Sequence, residues 1–105
     1  MDEKDLEAIM ELIMHSGEGK SNAIEAIHAA KTGDFKLAEE KIKAAEKSLS
    51  QAHHAQSDML TQEARGEHRD ITILLIHGQD HLMTGIAFKD IAKEMVELYK
   101  VISVK

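Results

Sequence analysis

The chain has 105 residues, 30% of them charged, with a formal net charge of −6 and neither Pro nor Cys; that length holds one core and a single domain, residues 1–105. Without Cys it can form no disulfide, thiolate zinc site or cysteine nucleophile, which fits a reducing cytosol. Nucleic-acid binding is not expected, because the lysines alternate with glutamates and Phe35, Phe88 and Tyr99 are the only aromatic residues, leaving no basic stripe for phosphates and no stacking platform for bases.

Ala, Glu, Lys, Leu and Ile are plentiful and no residue removes a backbone donor, so the predicted class is all-α. The N-terminus opens acidic, with Asp2, Glu3 and Asp5, and no basic region leads into a long apolar stretch, so neither a signal peptide nor a membrane span is expected. In the first helical segment Leu6, Ile9, Ile13, Ile24 and Ile27 mark the predicted core side, interrupted by Gly17 and Gly19. Each glycine costs about 1 kcal/mol relative to Ala inside a helix, which predicts a kink or a close backbone approach. The run Gly17-Glu18-Gly19-Lys20-Ser21 resembles the end of a phosphate-binding loop, but the first glycine of that motif would fall at Met14 and no strand precedes it.

A break is predicted at Lys31-Thr32-Gly33-Asp34, with Gly33 as a helix C-terminal glycine and Asp34 capping the next start. The second helix carries the clearest period: Phe35, Ala38, Ile42, Ala45, Leu49, Ala52, Gln56 and Met59 alternate steps of three and four, the seam of a bundle. A second break is predicted at Arg65-Gly66-Glu67-His68. Both connections are short, which favours antiparallel neighbours.

The third segment differs. Residues 71–76 are apolar nearly all round, Ile73, Ile76, Asp80, Met83 and Ala87 form one stripe, and Phe88, Ile91, Met95, Leu98 and Ile102 form another. A helix apolar on more than one side must be buried on more than one side, so oligomerisation through this helix is expected. Asp80 then sits in an apolar seam, where a carboxylate must be protonated, paired or metal-bound.

His77, Asp80 and His81 fall within five residues of this segment. Three readings are open on chemistry alone. Both imidazoles are satisfied structural residues; or, four apart on one helical face, they hold zinc in a metallohydrolase resembling the inverted zincin motif; or one imidazole is a nucleophile that carries a phosphoryl group without any ATP-binding apparatus of its own.

The run His77-Gly78-Gln79-Asp80-His81-Leu82-Met83-Thr84 resembles the active-site motif of the lactose/cellobiose-specific enzyme IIA family of the bacterial sugar phosphotransferase system. The likeness extends over nearly the whole chain, through Ser16-Gly17-Glu18 and Ser21, Gly33-Asp34-Phe35, Ala52-His53 with Gln56, Glu63-Ala64, Gly66-Glu67 and Glu97-Leu98-Tyr99. It departs at Gly78, where many cellobiose- and chitobiose-type members carry alanine, and at Gly19-Lys20 in place of a common Ala-Arg.

The resemblance implies an up-down-up three-helix chain assembled as a homotrimer of nine helices, located in the cytoplasm. It implies that His77 is phosphorylated by the histidine phosphocarrier protein HPr and donates to a cysteine of the IIB component, with the sugar entering through the membrane component IIC. It implies that Asp80 meets its two symmetry mates and binds a divalent ion, commonly Mg²⁺. Gln79 and His81 are expected in the active-site surroundings, and Leu75, Ile76 and Leu82 as an apolar wall for partner docking. His53 matches a recurring family histidine, and His15, His28, His54 and His68 are expected on the surface. A helical oligomer that binds a partner without catalysis is the alternative from another class.

Overall fold

The computed structural model describes residues 2–104. They form three helices, α1 (Glu3–Lys31), α2 (Phe35–Ala64) and α3 (Ile73–Ser103), and no strand occurs among the described residues. Gly19 faces Leu49 and Lys41 pairs with Glu25, so α1 and α2 are antiparallel; Gly78 lies against Leu12 and Gly85 against Lys20, so α1 and α3 are parallel. The result is an up-down-up rod of 56 × 21 × 19 Å, close to the length of about 45 Å expected for one 30-residue helix plus its connections.

Both predicted breaks are found, and they close in the same way. Gly33 (φ 83°) and Gly66 (φ 86°) adopt the left-handed conformation. The N–H of Gly33 donates to Ala30 and that of Asp34 to Ala29; the N–H of Gly66 donates to Glu63 and that of Glu67 to Gln62. This pair of backward bonds satisfies carbonyls that the end of a helix leaves orphaned. The starts are capped by side chains: Asp2 accepts from the Asp5 N–H at 2.8 Å, Asp34 from Leu37 at 3.1 Å and Thr72 from Leu75 at 3.1 Å. Thr72 thus starts α3 two residues later than the apolar run suggests, and Ile71 lies outside the helix.

The α2 seam is buried as predicted, from Ala38 through Ile42, Ala45, Leu49, Ala52 and Gln56 to Met59, with Phe35 half-buried at its start. On α1 the seam is shifted. Its buried line is Ile9, Leu12, Ser16, Gly19, Ala23, Ala26 and Ala30, steps of three and four built largely of small residues, whereas Leu6 and Ile24 are exposed. The helix runs unbroken through both glycines. A Cβ at Gly19 would stand 2.5 Å from Leu49 Cγ, so this glycine serves close approach of α1 and α2, not a kink.

On α3 the buried line is Gly78, Leu82, Gly85, Ala92 and Val96, with Phe88, Met95 and Tyr99 packed beside it. The stripe Ile73, Ile76, Asp80, Met83 and Ala87 faces outward, and Ile91, Leu98 and Ile102 of the second stripe join it on the surface. Ile73 is 86% exposed and Ile76 57%. Charged pairs tie the far end of the bundle, with Lys89 and Lys93 on Glu46, and Lys100 on Glu39.

Candidate functional site around His77

Gly78 lets α3 approach α1: a Cβ there would meet Leu12 Cδ2 at 3.1 Å and Ile13 Cγ1 at 3.5 Å. This fixes the rotation of α3 and places its two histidines along the edge nearest α1. His77 is exposed and His81 half-buried. Their rings stack with centroids 5.4 Å apart and planes 16° from parallel, the contact expected for side chains four apart on one helical face. The His81 Nε2 lies 3.5 Å from where a Cβ of Gly17 would stand. On the other side of the ring Nδ1 is 2.8 Å from the Lys20 ammonium. Burial, reinforced by the charges of Lys20 and His77 and opposed by Asp80, holds the His81 imidazole below its usual pKa.

Of the expected site residues, the fold brings His77 and His81 together and turns the others elsewhere. At about 100° per residue, Leu75 and Gln79 lie about 160° around the helix from His77, and Leu82 about 140°. Gln79 accepts from Gln56 Nε2 at 2.6 Å and donates to Met59 Sδ at 3.5 Å, so within one chain it joins α3 to α2 instead of flanking His77. Leu82 is 0% exposed and packs with Leu12, Leu49 and Ala52, so it cannot belong to a docking wall. Leu75 and Ile76 line a cavity of about 500 Å³ between α2 and α3, together with Met59, Leu60 and Met83. Leu75 and Ile76 thus border one cavity while Leu82 sits in the core, because proximity along a helix is not proximity around it.

Asp80 is exposed on the outward stripe, between Ile76 and Met83. Among the described residues no three His, Cys, Asp or Glu side chains of one chain converge as a metal site. The zinc reading also meets a geometric obstacle, since near-parallel stacked rings do not aim two nitrogen lone pairs at one ion, and His81 Nδ1 is already held by Lys20. His28, His54 and His68 are exposed as expected, and His53 is exposed as well. His15 is not: its side chain is 26% exposed, and its Nδ1 is enclosed, 3.6 Å from Glu18.

Lys20 is the site residue that sequence reasoning passed over. Its signal was its place on α1, since α1 runs parallel to α3 and the position one turn after Gly17, which faces His81, reaches the same ring.

The model of the lactose/cellobiose-specific IIA subunit of the PTS system matches residues 7–100. The chain belongs to this family. It is 45% identical over 103 residues to the lichenan-specific phosphotransferase enzyme IIA component of Bacillus subtilis (strain 168), covering 98% of this chain and 94% of that one. Among solved structures, the cellobiose-specific enzyme IIA from Bacillus anthracis superposes with a TM-score of 0.96 at 40% identity, over 100% of this chain and 96% of the other. A IIA(chitobiose) chain of Escherichia coli, determined in complex with HPr, superposes with a TM-score of 0.82 at 30% identity, over 98% of this chain and 99% of its own. The match of the IIA family model runs through His77, Asp80 and His81, and no helix among the described residues is long and apolar enough to cross a membrane.

Proposed function

We propose that this IIA chain is a cytoplasmic phosphocarrier, taking a phosphoryl group from phospho-HPr on His77 and passing it to a cysteine of a cognate IIB component. The sugar served is a β-linked disaccharide of the cellobiose, chitobiose or lactose type, entering through the IIC component of the same system. The observation that carries this reading is the exposed imidazole of His77, held by its stack on His81 at the surface of a rigid helix. An imidazole lone pair is available near neutral pH. In the first step that pair forms a nitrogen–phosphorus bond as the donor's own nitrogen–phosphorus bond breaks, and the donor imidazole leaves with the released pair. In the second, a partner thiolate forms a sulfur–phosphorus bond and His77 recovers its lone pair. Such transfers need positioning and charge stabilisation more than covalent help from neighbours. Because His77 is exposed, the docked partner's surface must complete the exclusion of water.

The working unit we propose is a homotrimer joined through the outward stripe of α3. Ile73, Ile76, Met83 and Ile91 leave more apolar surface in water than a lone helix bundle has reason to keep. A threefold axis along this stripe would bring three Asp80 carboxylates together. Three carboxylates form an all-oxygen donor set suited to a hard ion such as Mg²⁺, which would neutralise their mutual repulsion when bound.

Intact-mass analysis tests the carrier directly. After incubation with phosphoenolpyruvate, its phosphotransferase and HPr, the wild type gains one acid-labile phosphate and His77→Ala gains none. Equal uptake by His77→Ala would move the acceptor elsewhere, and no uptake by wild type with active HPr would favour the non-catalytic helical oligomer.

A further inference from the structure

Lys20 is half-buried on α1, and its stem packs over Gly85, whose Cβ would stand 3.5 Å from Lys20 Cε and 3.6 Å from Cγ. Its ammonium ends 2.8 Å from Nδ1 of His81. Among the described residues no carboxylate pairs with it, unlike Lys41, Lys89 and Lys100, which each meet an acidic partner. A lysine ammonium has donors and no acceptor. The bond to His81 therefore has one direction: Nδ1 accepts, and the ring's single proton sits on Nε2. That nitrogen faces Gly17, 3.5 Å from where its Cβ would stand.

We propose that Lys20 is a positioning residue for phosphoryl transfer at His77, fixing His81 as the Nε2–H tautomer so that a neutral N–H donor and an unneutralised cation stand beside the phosphoryl group. This rests on the carrier reading of His77. The stack couples the two rings, so the donor that orients His81 also limits the rotation of His77. A dianionic group arriving on His77 meets an N–H and a positive charge already in place, which is the preorganisation that stabilises transferring phosphoryl groups. The bond that sets the tautomer lies on the far side of the His81 ring from Gly17, so neither nitrogen of His81 is left to choose its own proton.

Two variants separate this from a packing role. Lys20→Met keeps the stem and removes the donor, and Lys20→Arg restores a donor. The first readout is the nitrogen-15 spectrum of the His81 ring in the unphosphorylated protein at fixed pH. Wild type is expected to show protonated Nε2 and unprotonated Nδ1, Lys20→Met a mixture of tautomers, and Lys20→Arg the wild-type pattern. The second is the rate of phosphoryl uptake from phospho-HPr, expected to fall about tenfold or more in Lys20→Met, with recovery in Lys20→Arg. A wild-type His81 protonated on Nδ1, or a Lys20→Met protein with unchanged tautomer and rate, overturns the inference. Wild type that takes up no phosphate, while Lys20→Met still shifts the tautomer, overturns the carrier reading and the purpose assigned to Lys20 but leaves the hydrogen bond standing.

Discussion

Single glycines decide how closely these helices pack and where they end, and they do so by two different physical routes. At Gly33 the space around a would-be Cβ is empty, with nothing within 4 Å, but φ is 83°. Gly33→Ala should cost about 1–2 kcal/mol from the left-handed backbone alone. At Gly19 the backbone is ordinary helix and the cost is steric, since a Cβ would press on the branch carbon of Leu49. Gly19→Ala should cost about 1–3 kcal/mol by overpacking. Gly78→Ala should cost less than Gly19→Ala, because its nearest neighbour, Leu12 Cδ2 at 3.1 Å, is the free end of a side chain. Urea midpoints of the three variants check the order. A Gly78→Ala protein less stable than Gly19→Ala would mean that the α1–α3 contact, not the α1–α2 contact, is the tightest in the bundle.

At the scale of whole helices, the amount that could be read in advance differed from helix to helix for a physical reason. The α2 seam was legible because its buried side is apolar and its outer side charged, so period and burial coincide. On α1 the buried positions Ser16, Gly19, Ala23 and Ala26 are small, and hydropathy instead points to Leu6 and Ile24, which are exposed. Close packing selects for size here, and a hydropathy pattern does not see size. On α3 both faces are apolar, so the sequence showed that two surfaces needed covering without telling which one belongs to the chain's own core. The motif singles out His77, but a docking wall of Leu75, Ile76 and Leu82 joins residues that the helix separates, since Leu75 and Ile76 border one cavity and Leu82 lies in the core. The two faces predict opposite outcomes for one kind of substitution. Ile76→Glu together with Ile91→Glu, both on the outward stripe, should leave helix content and monomer folding intact while reducing the mass in equilibrium sedimentation from three chains to one. Each lost burial is worth about 1.5–3 kcal/mol per chain at such an interface. Leu82→Glu places a charge among Leu12, Leu49 and Ala52 and should abolish the fold itself. A trimer that survives both outward glutamates would remove α3 from the proposed interface.

For the molecule as an assembly, the question is what Asp80 does to the stability of three chains together. In one chain it is an exposed carboxylate and costs nothing. In the proposed trimer three such groups converge in an apolar seam, and burying unneutralised charge is expensive. A hard divalent ion removes that cost by coordination to oxygen, so the trimer should depend on the ion more than the monomer fold does. A chelator should therefore lower the melting temperature of the wild-type trimer and shift its mass toward single chains at low protein concentration, with Mg²⁺ restoring both. Asp80→Leu should behave differently: replacing buried, converging charges with apolar groups of similar volume is often neutral or stabilising, so this variant should stay trimeric and ignore chelator and Mg²⁺ alike. It should also still accept phosphate on His77, because Asp80 lies on the outward stripe and the stack with His81 does not use it. A wild-type trimer indifferent to chelator would show that the seam tolerates its carboxylates by another route, through protonation or pairing, and would remove the ion from the assembly.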